Sequence, residues 1–223
     1  MKNILMIVTS HERLGSTDTK TGFWLEELAA PYQEFVRAGA RVDIASPHGG
    51  KPPADPKSES EPSAVVRAFQ ADPLALGKLE SSLRLGELRE AYDAYFVVGG
   101  HGVMWDLADN PTLAALLAQA YENGKVVAAV CHGPAALVNV RLSNGKPLIA
   151  QRRVTGFSNA EEEAVGLAKV VPFALETQLR ERGAKYEAGP LWQPFAVRDE
   201  RLVTGQNPAS SALAAQQALA ALG

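Results

Sequence analysis

Three short and almost wholly apolar runs constrain this chain more than any other feature: ILMIV at 4–8, YFVV at 95–98 and KVVAAV at 125–130. Each is too short for a buried helix and too continuous for a strand with one wet face. Each therefore reads as a strand covered on both sides, as in a parallel sheet with helices on both faces. Each run ends in polar or glycine-rich chain, TSHE at 9–12, GGHG at 99–102 and CHGP at 131–134, so the carboxyl ends of the strands open onto loops able to carry chemistry.

The segments between the runs fit that plan. From Gly22 to Ala38 the apolar residues Phe23, Trp24, Leu28, Tyr32, Phe35 and Val36 recur at helical spacing, with Thr21 as N-cap and Gly39 just past the end. RVDIAS at 41–46 reads as a second strand, and 110–123, closed by Gly124, as a helix that completes a strand–loop–helix–strand crossover. Gly, Pro and Ser make 48–63 a long loop, with helical pieces at 64–69 and 76–91, so that about 47–91 reads as an inserted cap. Beyond Cys131 the pattern gives a short helix from Pro134, a strand pair around Leu148 and Val154, and helices at 161–169 and 172–182. A hairpin comes next, 196–198 with 202–204, with Asp199 and Glu200 in its turn, and then a helix at 209–222. Without a repeat or linker, the 223 residues are expected to form one α/β domain, 1–223, with a doubly wound, mostly parallel sheet and an antiparallel edge.

Composition removes whole classes of function. A net charge of −3 supplies no basic surface for nucleic acid or an anionic membrane. No stretch reaches the roughly 18 apolar residues of a membrane span, and the N-terminal run is shorter than the about seven residues of a signal peptide's apolar region. The expectation is a soluble cytoplasmic protein with neither nucleic acid nor membrane as partner. One cysteine excludes an internal disulfide and any multi-thiolate zinc site, and points to a reducing compartment.

That cysteine lies in Ala129-Val130-Cys131-His132-Gly133, a nucleophile between small residues at a strand-to-helix turn, with Pro134 permitted in the first turn of the helix. A helix N-terminus there is expected to lower the thiol pKa and favour thiolate. His132, adjacent, is a candidate base. The N–H groups of Gly99-Gly100-His101-Gly102 are candidates for an oxyanion hole, since the loop is neither a dinucleotide fingerprint nor a P-loop. Of Glu26 and Glu27, one must lie near the core-facing stripe of its helix, where burial raises a carboxyl pKa. Glu161, Glu162 and Glu163 are equivalent candidates to orient a histidine. No metal-ligand spacing is present, and no metal or cofactor is expected.

The segments AAVCHGP at 128–134, GGHG at 99–102, TGFWLEELAAPY at 21–32, VTGFSN with its acidic run at 154–163, and TGQNPAS at 204–210 together resemble the ThiJ/PfpI superfamily. The nearest branch is that of glutathione-independent glyoxalases (glyoxalase III) and heat-shock chaperones. The resemblance implies a flavodoxin-like, class I glutamine amidotransferase-like sandwich, a homodimer and a small aldehyde substrate. It implies Cys131 as nucleophile, His132 beside it, Glu162 as triad acid, Glu27 against the thiol, and the N–H groups of Gly100 and His101 as the oxyanion site. Glu26, Glu161 and Glu163 stay open as register alternatives. For a glyoxalase III, the Cys131 thiolate adds to methylglyoxal, Glu27 and His132 shuttle a proton through an enediol, and D-lactate leaves without metal, nucleotide or glutathione. A cysteine hydrolase (peptidase, amidase or protein deglycase) would use the same triad. A holding chaperone or thiol stress sensor would not need turnover. A glutamine amidotransferase takes its base from a later His-x-Glu, and no histidine follows His132.

Overall fold

The computed structural model describes residues 1–223. In chain order its elements are β1 (Asn3–Ile7), α1 (Leu25–Arg37), β2 (Arg41–Ser46), α2 (Pro56–Ser60), α3 (Ala64–Gln70), α4 (Pro73–Glu80), β3 (Leu83–Arg84), β4 (Ala94–Val97), α5 (Val103–Asp106), α6 (Pro111–Glu122) and β5 (Val126–Val130). They continue with β6 (Arg153–Val154), α7 (Asn159–Ala164), α8 (Leu175–Glu181), β7 (Lys185–Tyr186), β8 (Ala196–Asp199), β9 (Leu202–Gly205) and α9 (Ser211–Leu222). The seven-stranded sheet runs β3-β2-β1-β4-β5-β9-β8, and β6 with β7 forms a separate two-stranded sheet. All neighbours in the main sheet are parallel except β8 and β9, the antiparallel edge. This is a flavodoxin-like, doubly wound α/β fold, and the chain turns from one side of the sheet to the other at β1.

The apolar runs are the centre of that sheet. Ile4 lies opposite Val42 and Ala94, Phe96 opposite Ala128, and Ile4 through Val8 are wholly buried. Burial on both faces is worth roughly 1.5–3 kcal/mol for each large aliphatic side chain, which is why these runs tolerate no polar alternation. α1 packs against α9 and α3, while α6 covers β4 and β5. No helix is long and apolar enough to cross a membrane.

Several expected boundaries move, each for a tertiary reason. Trp24, not Thr21, is the N-cap of α1, and the Thr21 hydroxyl instead donates to Asp55 Oδ2. The expected helix over 76–91 ends at Glu80, because Ser82 exchanges backbone hydrogen bonds with Gly50 and draws the chain into edge strand β3. The segment 47–91 carries three short helices and extends the main sheet, and none of its residues hydrogen-bonds to Cys131, His132 or Glu162. Leu148 is buried in a turn rather than a strand, and Val154 pairs with Tyr186 instead. Helix α7 stops at Ala164, where Gly166 adopts a left-handed φ of 75° and its N–H caps the Glu163 carbonyl. Helix α8 begins only at Leu175, three residues after Pro172. The hairpin turn holds Glu200 and Arg201, with Asp199 paired to Leu202.

Candidate active site

The site forms where β1, β4 and β5 end side by side, at the switch point of the sheet. Cys131 follows the last residue of β5 with φ 59°, in the left-handed region that a residue with a side chain rarely occupies. Two backbone bonds hold it there: its N–H donates to Gly205 O of β9 (2.9 Å), and its carbonyl accepts from the Phe157 N–H (2.8 Å). The expected strand-to-nucleophile elbow is therefore present.

The expected activation by a helix N-terminus is not. The elbow leads into a single 3₁₀ stretch, Gly133–Leu137, rather than a helix with a developed dipole. Burial pushes the Cys131 thiol well above its ordinary range, and the Glu27 carboxylate adds to that rise. The resting sulfur is a thiol that must surrender its proton when substrate arrives.

Glu27 lies in the first turn of α1, is 0% exposed, and points at the sulfur. Neither carboxyl oxygen makes a hydrogen bond of good geometry; its nearest polar neighbours are the Cys131 thiol and the Gly99 N–H. Burial raises its pKa well above the ordinary carboxyl value, with the Cys131 and Gly99 interactions opposing only in part. Gly99 makes the approach possible, since a Cβ there would overlap Glu27 Oε2 and lie 2.5 Å from Val130 O and 2.8 Å from the Cys131 Cβ. Gly100, at φ 104°, would put a Cβ 2.6 Å from Trp24 N. The loop after β4 thus has to be glycine for α1 to dock on it, and the Trp24 N–H donates to Gly99 O (3.1 Å).

On the other side of the sulfur, His132 Nδ1 lies 3.3 Å from Cys131 Sγ and its Nε2–H donates to Glu162 Oε2 at 2.7 Å. Burial opposes ionisation of Glu162, but the hydrogen bonds from His101 and His132 prevail and hold its pKa down at about 2. An ionised carboxylate can only accept, so the His132 proton sits on Nε2 and the Nδ1 lone pair faces the thiol. Burial and the neighbouring His101 lower the His132 pKa to about 4 against the pull of Glu162, so the ring is neutral at pH 7.

The acidic alternatives separate by orientation. Glu26 is half-buried on α1, Glu163 is exposed, and Glu161 is buried but turned away from the histidines. Glu161 accepts instead from the Ser158 N–H and hydroxyl, Asn207 Nδ2 and the Trp192 N–H. Gly100 and His101 sit beside the elbow, and neither N–H donates to another protein group. The sequence marks His101 and His132 as the two best-placed imidazoles of the four but assigns His101 a role only through its backbone, and the structure brings its side chain to Glu162. Sequence reasoning also missed Phe157, whose ring packs 4.4 Å from that of His132. A histidine at the end of a strand neighbouring the elbow strand was the available signal for the first; nothing in the sequence marked the second. The donor atoms of His101, His132 and Glu162 lie within 4.8 Å of one another, but both Nε2–H groups are spent on the carboxylate, so the set is a hydrogen-bond cluster rather than a preformed cation cage.

Known proteins share this arrangement of chain. Two proteins are each 30% identical to it over 99% of this chain and 98% of their own length, the glutathione-independent glyoxalase HSP31 of Saccharomyces cerevisiae and glyoxalase 3 of Candida albicans. The crystal structure of glyoxalase III from Candida albicans superposes with a TM-score of 0.91 at 28% identity, covering 99% of this chain and 97% of that one. The Rapid Encystment Protein 24 KDa of Francisella tularensis superposes with a TM-score of 0.97 at 40% identity over the whole of both chains. Residues 19–221 match the model of the DJ-1/PfpI family, and with the elbow, the two histidines and the buried glutamate in place, this chain belongs to that family.

Proposed function

We propose that this protein is a glutathione-independent glyoxalase that converts methylglyoxal to D-lactate at Cys131. The observation that carries the reading is the flanking of one sulfur by two groups whose pKa values are displaced in opposite directions, Glu27 upward by burial and His132 downward to about 4. That supplies a carboxyl group biased toward its protonated form and a free base on either side of the nucleophile, the requirement for moving a proton between adjacent carbons.

The thiol proton passes to His132 Nδ1 as Sγ adds to the aldehyde carbon, and the imidazolium formed is stabilised by Glu162. The oxyanion produced lies against the Gly100 and His101 N–H groups and takes up that proton, giving the hemithioacetal. His132 then removes the hydrogen on the former aldehyde carbon while Glu27 protonates the neighbouring carbonyl oxygen, giving an enediol. Return of the His132 proton to the second carbon, with Glu27 taking back the proton of the first hydroxyl, leaves a lactoyl thioester on Cys131. Water cleaves the thioester to lactate and restores the thiol, so the balance is methylglyoxal plus water to lactic acid. A sole thiol that has to stay reduced suits the cytoplasm, and the family resemblance supports a homodimer, which light scattering on the eluted protein tests.

The function is tested by monitoring methylglyoxal loss and D-lactate formation by the purified protein without glutathione, beside Cys131→Ser and Glu27→Gln. The expected result is turnover in the wild type, loss in Cys131→Ser and a fall of roughly 100-fold or more in Glu27→Gln. A folded wild type without turnover overturns the reading and directs attention to amide substrates and to protection of aggregating clients.

A further inference from the structure

We infer that the His101 side chain is a positioning residue of this site: it clamps the second oxygen of Glu162 and thereby fixes which nitrogen of His132 carries the proton, leaving the one that faces the sulfur a free base. The inference deepens the glyoxalase reading and rests on it for its kinetic test alone.

Glu162 sits on α7, a helix of only six residues, and is buried except at its edge. Its carboxylate is held like a fork, Oε2 by His132 Nε2 at 2.7 Å and Oε1 by His101 Nε2 at 2.9 Å. The two imidazoles come from different strands, His101 from the end of β4 and His132 from the end of β5, and their ring centres lie 4.1 Å apart. Phe157 closes the cluster from the loop before α7, with its ring 4.4 Å from His132 and 6.1 Å from His101. The other ionisable groups around Glu162 are Glu161, which is turned to Ser158, Asn207 and Trp192, and Cys131 with Glu27 on the far side of His132.

A buried carboxylate with one oxygen left unsatisfied carries a heavy desolvation penalty and relieves it by taking up a proton. If Glu162 did so, its hydroxyl would become a donor to His132 Nε2. That nitrogen would have to turn acceptor, the ring proton would move to Nδ1, and the nitrogen facing Cys131 would no longer be a base. The second imidazole prevents this by supplying a second N–H to the same carboxylate. At 12% side-chain exposure His101 is the most open member of the cluster, so the clamp sits on its outer rim and does not touch the sulfur. The burial of Glu162 makes a second donor necessary, and His101 provides it.

The test compares His101→Leu, which removes the donor, with His101→Gln, whose side-chain amide can place an N–H near the position of Nε2. The pH dependence of kcat is measured for both, and nitrogen-15 shifts of the histidine rings report the tautomer of His132 without any turnover; with four histidines in the chain the signals are few enough to assign by substitution. Expected are the Nε2–H tautomer of His132 in the wild type and in His101→Gln, and its loss in His101→Leu. Expected with them is a kcat lower by roughly tenfold or more in His101→Leu, with KM little changed and the acid limb of the profile moved to higher pH. An unchanged His132 tautomer and an unmoved acid limb in His101→Leu overturn the inference, as does a Gln variant that behaves like the Leu variant. If the wild type turns over no methylglyoxal, the tautomer comparison still decides the role of His101, while the glyoxalase reading falls by itself.

Discussion

Cys131 and Glu27 share a dry pocket in which the charge of either raises the cost of charging the other. Burial acts first on both, pushing both pKa values up, and the Glu27 carboxylate then raises the thiol further as pH increases. An amide at position 27 keeps the shape and removes the charge, so Glu27→Gln is expected to lower the thiol pKa while turnover is lost. Alkylation of the sole cysteine by iodoacetamide across pH reads this directly: the variant is expected to react faster than the wild type at pH 8, with its midpoint moved down. Equal profiles would show that the two groups do not sense each other. The nucleophile was legible in the sequence because an elbow needs small residues around a strained position, and Cys131 at φ 59° meets that need. Its protonation state was not legible, because the expectation weighed a helix dipole and could not weigh how completely the pocket excludes water.

At the scale of elements, α7 is the part on which the site depends most. It is short, so its stability comes from its cap: Ser158 Oγ accepts from the Glu161 N–H at 3.1 Å, and the Ser158 N–H donates back to Glu161 Oε2 at 3.1 Å. Ser158→Ala is expected to cost about 1 kcal/mol in urea unfolding and to lower kcat beyond what that loss of folded protein explains, because the same turn carries Glu162. Glu161→Ala is expected to cost more, about 3 kcal/mol or above, since it orphans donors from Ser158, Asn207 and Trp192 together. A Glu161 variant as stable as the wild type would mean that these bonds are replaced by water. The sequence could place Glu161 and Glu162 on one helix, but adjacent residues on a helix face differ by about 100°, and only the packed partners decide which faces the histidines. Strands follow the same division. β1, β4 and β5 were legible as apolar runs, whereas the two-residue strands β3, β6 and β7 exist only because a partner edge lies beside them.

The whole molecule carries a proton balance that neither residue shows alone. The α/β alternation made the layered sheet legible, but not that its switch point would bury a raised carboxyl and a lowered imidazole beside one sulfur. His132, with a folded pKa of about 4 against an ordinary 6.5, contributes stability that is present above pH 6.5 and lost as pH falls through about 4. Glu27, with a folded pKa raised above 4.5, contributes stability that is present below pH 4.5 and lost as pH rises through its folded value. From pH 4.5 upward, for as long as Glu27 keeps its proton in the fold, the unfolded chain holds the proton on His132 and the folded chain holds it on Glu27, so the two contributions run in opposite directions and offset each other in the wild type. Glu162, held at about 2, enters only below 4.5, and Cys131, raised above 9, only in alkali. Single substitutions are expected to unmask the slopes. In Glu27→Gln, unfolding free energy should fall toward acid, by about 3 kcal/mol in total; in His132→Gln it should fall in the opposite direction, as pH rises from 4.5. Urea titrations of the three proteins at half-unit steps of pH measure this, and three parallel curves would mean that both groups titrate in the fold as they do in the unfolded chain.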